Sequence, residues 1–404
     1  MSIFVTSGNK ARSYRDLAVT LTSAYDWRWT DSGSGGDRDG GFWHPQPQER
    51  LRPLGSVAVP HYGNINNQWA VLLVSDNPLN RVQGKGPAVL SPVDYHEVWR
   101  DSGSGAKHDG SFWRPVPPLG YVALGDVAWT GYGKPDVDQV WCLRDDLVQG
   151  GGFNDSSVWD DRGTGADTDA SFWEVIPSVP STNEEFVPIV AGTFIANVSY
   201  ARPDASLARV PALYLPRDNL PLPASPPEVA SNAIPKVGDT FPDTVQRTVT
   251  LPFTFFVHGD DRRCLDKIQD PFCSLSKTAS WIVLNSEVNN SQGTLTGSFG
   301  MGAGSKAGST PLNAGVTITA EGELLVGRYS VRLNYQLADS ESGSHDEVLE
   351  GTQTKPFTIS PGTAGLLWGR RIVIQTVRAD GSHIGEPVVY TGGNVIVSYV
   401  SVQA

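Results

Sequence analysis

Apolar residues in this chain come in short runs broken by turn-forming residues. Alanine- and leucine-rich helical stretches are missing. In the first half the runs lie at 54–59, 68–74, 121–129, 139–144, 186–190 and 212–215. Each follows a proline- or glycine-rich turn, and each has the length of one strand. In the second half the runs are longer and alternate apolar with polar residues. They lie at 244–257, 315–320, 328–337, 371–377 and 394–402. Period-two alternation of that length predicts extended antiparallel sheet. The pattern therefore predicts an all-β chain.

The spacing of the aromatic residues adds a repeat. Trp29, Asp31, Gly33, Gly35, Asp39, Phe42 and Trp43 recur without a gap as Trp99, Asp101, Gly103, Gly105, Asp109, Phe112 and Trp113. They recur again as Trp159, Asp161, Gly163, Gly165, Asp169, Phe172 and Trp173. Seven matches in three copies predict one supersecondary unit used three times. A single copy cannot bury its apolar face, whereas three can close about a common axis. A pseudo-threefold β-prism is the expected shape for residues 1–215. A β-trefoil is the competing one, but its repeats are usually shorter. Between 216 and 242 the chain carries Pro216, Pro221, Pro223, Pro226, Pro227, Pro235 and Pro242, which predicts a semi-rigid linker. Residues 243–404 lack the repeat and are expected to form an elongated antiparallel β domain.

Composition narrows the partners. A net charge of −12 with no basic stripe argues against nucleic acid. Cys142, Cys264 and Cys273 are too few for a disulfide scaffold, although Cys264 and Cys273 could pair across a short loop. The first residues show no basic and apolar leader, so no signal peptide is expected. No apolar stretch is long enough for a transmembrane helix.

Candidate chemistry follows from the repeat. In Asp-x-Gly-x-Gly the glycines accept positive φ and the carboxylate bonds the turn backbone. One reading makes the repeated residues the corners of the fold. The other makes each copy a pocket for a sugar or head group, with Asp31, Asp101, Asp109, Asp161 and Asp169 accepting hydrogen bonds from hydroxyls. Trp43, Trp113 and Trp173 would then stack on a pyranose face. The aspartate spacing matches no calcium loop. His258, Asp260 and Asp261 read as a solvated turn. No catalytic motif, metal site or cofactor is expected; Gly300–Lys306 superficially suggests a phosphate loop, but no helix follows.

The second copy, from Trp99 to Trp113 and on through Gly120, Tyr121, Leu124, Gly125, Asp126 and Val127, resembles the Vps62-type repeat family. The third copy departs from that pattern after Trp173. The resemblance covers roughly residues 15–215 and implies a β-prism-like module, found attached to membrane-active partners in some proteins. The vacuolar sorting in the family's name is not carried over.

In the other half, 288–320 holds one charged residue, Lys306. Leu295, Phe299 and Met301, then Val316 and Ile318, alternate with Ser, Thr and Gly, as two strands of a membrane β-hairpin would. Such a hairpin cannot lie in lipid with open edges, so insertion requires an oligomeric barrel. This half resembles the aerolysin and ETX/MTX2 group of β-pore-forming toxins in architecture, without a strict motif; Pro356 and Pro361 resemble a strand break late in that group. Together the two resemblances imply a non-enzymatic pore-forming toxin that binds a cell-surface glycan or lipid, forms a homo-oligomer and inserts 288–320 into the target membrane. It would be soluble and released without a classical signal peptide; a bacterial insecticidal or defence role would fit. The rival expectation is a non-lytic, multivalent lectin-like protein.

Overall fold

The computed structural model describes residues 3–4, 8–177, 185–215, 225–301, 310–313, 316–318, 324–326, 329–331, 353–385, 387–391 and 395–402. The fold is all-β, built of antiparallel sheets. The chain divides into two compact units, Met1–Pro216 with Leu251–Phe272, and Arg217–Thr250 with Cys273–Ala404.

In the first unit each repeat contributes three paired strands, a separate sheet in the first two copies and part of a six-stranded sheet in the third. The strands are Tyr25–Thr30, Gly41–Pro45 and Val57–Val59 in the first copy. They are Asp94–Arg100, Gly110–Val116 and Val127–Thr130 in the second. The third copy uses Trp159–Asp160, Ser171–Pro177 and Phe194–Asn197. The register repeats with the sequence: Trp29, Trp99 and Trp159 oppose Phe42, Phe112 and Phe172, which in turn oppose Ala58, Ala128 and Ala196.

Alternation then sorts the aromatic residues by face. The six residues Trp29, Phe42, Trp99, Phe112, Trp159 and Phe172 meet in one buried cluster with Phe194. Their rings pack mostly edge to face, with the Phe42, Phe112 and Phe172 centroids 4.5–4.9 Å apart, the arrangement that ring quadrupoles favour. The next residue in each copy points to the opposite face. There Trp43, Trp113 and Trp173 are each buried in a separate outer cluster. Both faces of each repeat sheet are thus apolar, so the alternation legible in the sequence does not mark one of them as solvent-facing.

The second unit is organised on long strands. Phe272–Asn289 pairs antiparallel with Thr363–Arg378, with a bulge between Val283 and Asn285. Val388–Thr391 and Ile396–Ser401 pair with the far side of Thr363–Arg378. One face of this sheet carries Trp281, Val283, Leu366 and Trp368. Against them pack Val229, Ile234 and Phe241. The proline-rich segment read as a spacer therefore contributes apolar side chains to a core. Proline excludes this stretch from sheet interiors without keeping its other residues from packing.

The two strands of the expected membrane hairpin are not paired with each other in this structure. Among the described residues Leu295–Met301 does not pair with 310–313 or 316–318. It pairs in continuous register with Gln353–Ile359, from Leu295 opposite Ile359 to Met301 opposite Gln353. Val316–Ile318 lies instead between Thr310–Asn313 and Leu324–Val326 in a separate four-stranded sheet with Tyr329–Val331. Local alternation specifies a face but not a partner. The side chains of Met301, Val316 and Ile318 and the turn residues 302–309 lie outside the described residues. Phe299 is buried with Ile359 and Leu367, and Leu295 and Phe357 pack beside them.

Candidate functional site

Each repeat turn is built the same way. Gly33 and Gly35, Gly103 and Gly105, and Gly163 and Gly165 all have φ between +76° and +98°, where a side chain would be strained. The first aspartate of each copy lies beneath its turn. Oδ1 of Asp31 accepts a hydrogen bond from Gly40 N at 2.7 Å, that of Asp101 from Gly110 N at 2.9 Å and that of Asp161 from Ala170 N at 2.9 Å. All three aspartates are buried. Burial raises the carboxyls of Asp31 and Asp161 above the ordinary range, and the backbone N–H donors oppose that shift.

The copies interlock in a cycle. Trp29 Nε1 donates to His108 O in the second copy at 2.8 Å, and Trp99 Nε1 donates to Thr168 O in the third at 2.7 Å. Trp159 Nε1 closes the ring onto Arg38 O in the first at 2.9 Å. Backbone bonds cross the same three junctions in the opposite sense: Lys107 N donates to Ser32 O, Asp167 N to Ser102 O and Asp37 N to Arg162 O. Every buried indole N–H of the core thus finds its acceptor in the next copy.

The expected site residues fall into two groups. Trp43, Trp113 and Trp173 belong to outer cores and are at most 7% exposed, so they offer no open ring face to a sugar. Trp113 and Trp173 donate to Ser111 Oγ and Ser171 Oγ, each at 2.8 Å. Gly41 replaces that serine in the first copy, and Trp43 Nε1 has no hydrogen-bond partner among the described residues. The second aspartates differ from the first: Asp39, Asp109 and Asp169 are exposed. Each lies beside a tyrosine. Tyr132 OH donates to Asp109 Oδ1 at 3.4 Å, and Tyr200 OH to Asp169 Oδ1 at 3.0 Å. Tyr62 stands between Asp31 and Asp39, and its hydroxyl is raised by burial and by those two carboxylates. Arg100 and Arg162 lie over the Tyr132 and Tyr200 rings, 5.0 and 4.2 Å from the centroids.

These tyrosines escape the repeat pattern. Tyr62 and Tyr132 sit nineteen residues after the second tryptophan of their copies, flanked by glycine, while Tyr200 sits twenty-seven after its own. The spacing shared by the first two copies is the signal that points to them.

The position after the second tryptophan also diverges: His44, Arg114 and Glu174. Arg114 forms a two-point pair with Asp126 at 2.9 and 2.8 Å. Glu174 is raised by burial and held by Asn154. His44 Nε2 donates to Gln139 O at 3.2 Å, so its Nδ1 accepts from Ser56 Oγ at 2.9 Å. Burial and the Arg28 charge hold His44 neutral and push its pKa down to about 4. An unfolded histidine titrates near 6.5, so the unfolded chain binds the extra proton first. Stability from His44 is complete above about pH 6.5 and is lost as pH falls towards about 4. The loss is of order 3 kcal/mol. Buried Asp31, Asp161 and Glu174 act in the opposite sense. His44→Gln isolates the histidine: its melting temperature should fall less than that of wild type between neutral and acid pH. Equal falls would remove His44 as the cause.

Among the described residues no His, Cys, Asp or Glu cluster is arranged to hold a metal ion, and Cys142, Cys264 and Cys273 are buried. No helix among them is long and apolar enough to cross a membrane.

A closed cycle of three polar turns over a shared aromatic core defines an all-β repeat module. Residues 13–226, over half the chain, match the family model described as Vacuolar protein sorting-associated protein 62 (Vps62), and the chain belongs to that family. No curated protein matches the chain. Among solved structures it is similar to GNIP1Aa from Chromobacterium piscinae, with 25% identity, a TM-score of 0.39 and coverage of 49% of this chain and 36% of that one. The chain thus spans about a third of the length of that relative. It is also similar to Cry35Ab1, with 11% identity, a TM-score of 0.30 and coverage of 96% and 90%.

Proposed function

We propose that the protein is a non-enzymatic, two-part, toxin-like β protein. The Vps62 unit is a β-prism-like addressing module for a cell-surface glycan or lipid head group. The second unit oligomerises on the target membrane and inserts a β-ribbon, as in pores of the aerolysin type. The ribbon includes Leu295–Met301 and Gln353–Ile359, in place of the hairpin expected at 288–320.

One observation carries this reading. Along the ribbon Leu295, Phe299, Phe357 and Ile359 pack towards the long sheet, while Thr296, Ser298, Thr354 and Thr358 are exposed. That division gives one hydroxyl-bearing face and one mainly apolar face, which also carries the exposed Lys355 opposite Phe299, and a membrane ribbon alternates in the same way. Seven residues per strand fall short of the roughly 9–11 that span a bilayer, so the residues that follow must extend it. The three Tyr–Asp pairs favour the second reading, a non-lytic multivalent binder.

Dye release from vesicles made of target-cell lipid tests the proposal. A disulfide from Ile359→Cys with Gly365→Cys holds the ribbon to the sheet, since a Cβ at 365 would meet Ile359 Cδ1 at 2.7 Å. Release should be abolished in the oxidised variant and restored by reductant. Binding without release by the wild type would favour the multivalent binder. Equal release by the oxidised variant would exclude detachment of the ribbon's base from the sheet.

A further inference from the structure

The three junctions between copies are equivalent in backbone and different in chemistry. Each joins the residue two before the first tryptophan to the residue before the second aspartate of the next copy. From the third copy to the first, those residues are Ser157 and Arg38. The junction is closed there, because Arg38 donates to Ser157 Oγ at 2.9 Å and to Asp160 Oδ2 at 3.2 Å. From the second to the third they are Glu97 and Thr168, and Glu97 accepts from Arg100 in its own strand at 2.7 Å. From the first to the second they are Trp27 and His108. Their rings meet at 79° with centroids 5.3 Å apart.

Trp27 is 36% exposed, and the other tryptophans among the described residues are buried or half-buried. It packs in neither the central nor the outer core. A large ring left at the surface, in a unit whose repeated Trp and Phe residues are all buried, marks a binding position. The surroundings are anchored. The His108 carbonyl accepts from Trp29 Nε1. Thr130 Oγ1 donates to Arg28 O at 2.8 Å, and the Arg28 guanidinium lies 4.6 Å from the Trp129 ring centroid. One residue past His108 is the exposed Asp109 carboxylate, held by Tyr132.

We infer that the junction of Trp27 and His108 is a saccharide site. The indole stacks on the apolar face of a sugar ring, and His108 and Asp109 bond its hydroxyls. This deepens the addressing reading of the Vps62 unit and rests on it. The binding is single and off the pseudo-threefold axis, since the other two junctions lack an aromatic residue. An indole on one side and hydrogen-bonding groups on the other suit a ring with an apolar face and a polar edge. The sugar can be carried by a lipid or by a protein.

A glycan array with galactose-, N-acetylgalactosamine-, glucose-, mannose- and fucose-terminated probes tests the site on the full chain. Wild type should bind at least one probe. Trp27→Ala should weaken that binding about tenfold or more, a loss of about 1.4 kcal/mol. Trp27→Tyr should retain most of it, and Leu119→Ala, an exposed control in the same unit, should change nothing. Unchanged melting temperatures establish that each variant is folded. Undiminished binding by folded Trp27→Ala would overturn the site and leave the addressing reading in place. Wild type that binds no sugar but binds phosphatidylcholine–phosphatidylserine vesicles would overturn the saccharide class and keep an address in lipid. Binding to neither would sink both.

Discussion

Phe112→Ala is expected to destabilise the first unit by about 3–5 kcal/mol, with a fall of roughly 10 °C in its melting temperature. Phe112 is wholly buried and touches five aromatic rings: Trp29, Phe42, Trp99, Phe172 and Phe194. Truncation removes the ring and leaves a cavity that the rigid neighbours cannot fill. Since Phe42 and Phe172 occupy equivalent places, their alanine variants should cost a similar amount. Thermal or urea unfolding followed by near-ultraviolet circular dichroism reads all three. A loss below about 1 kcal/mol for Phe112→Ala would mean that the central cluster is not the stabilising core.

The second large effect belongs to Asp101→Ala, at about 2–4 kcal/mol. Oδ1 of Asp101 accepts from Gly110 N, and Oδ2 accepts from Trp29 Nε1 at 3.3 Å and from Ser104 Oγ at 3.4 Å. Alanine leaves the buried Gly110 N–H unsatisfied. Asp101→Asn keeps an acceptor and should cost markedly less. Asp109→Ala, on the exposed carboxylate, should stay within about 0.5 kcal/mol. The pair separates roles that the repeat pattern assigns alike: the first aspartate builds the turn, and the second faces solvent. If Asp109→Ala proved as costly as Asp101→Ala, that division would fail.

What the sequence discloses follows from the range of the interactions. The repeat, the turns and the all-β class are local, and the matched Trp, Asp, Gly and Phe positions announce them. Burial is not local. Whether Trp43 stacks on a ligand or fills a core depends on Ile65 and Val71, which lie well beyond the motif. The Tyr–Asp pairs form only when a later loop folds back, so Tyr62, Tyr132 and Tyr200 carry no mark beside the aspartates they meet. Strand partners are the least legible feature. The alternation at Leu295–Met301 says which side is apolar, and its partner Gln353–Ile359 arrives more than fifty residues later. The Trp27 position is visible only by comparing what the three junctions lack.

The cycle of indole bonds sets an order of events during synthesis. Trp29 can be satisfied once His108 has been made, and Trp99 once Thr168 has followed. Trp159 reaches back to Arg38, near the start of the chain. The aromatic faces of the first two copies must therefore wait, partly uncovered, until the third has left the ribosome. Contacts of such sequence separation form slowly. A chain that stops short of Phe172 would expose tryptophan and phenylalanine in place of a smaller folded product, so a two-copy fragment is not a minimal version of this module.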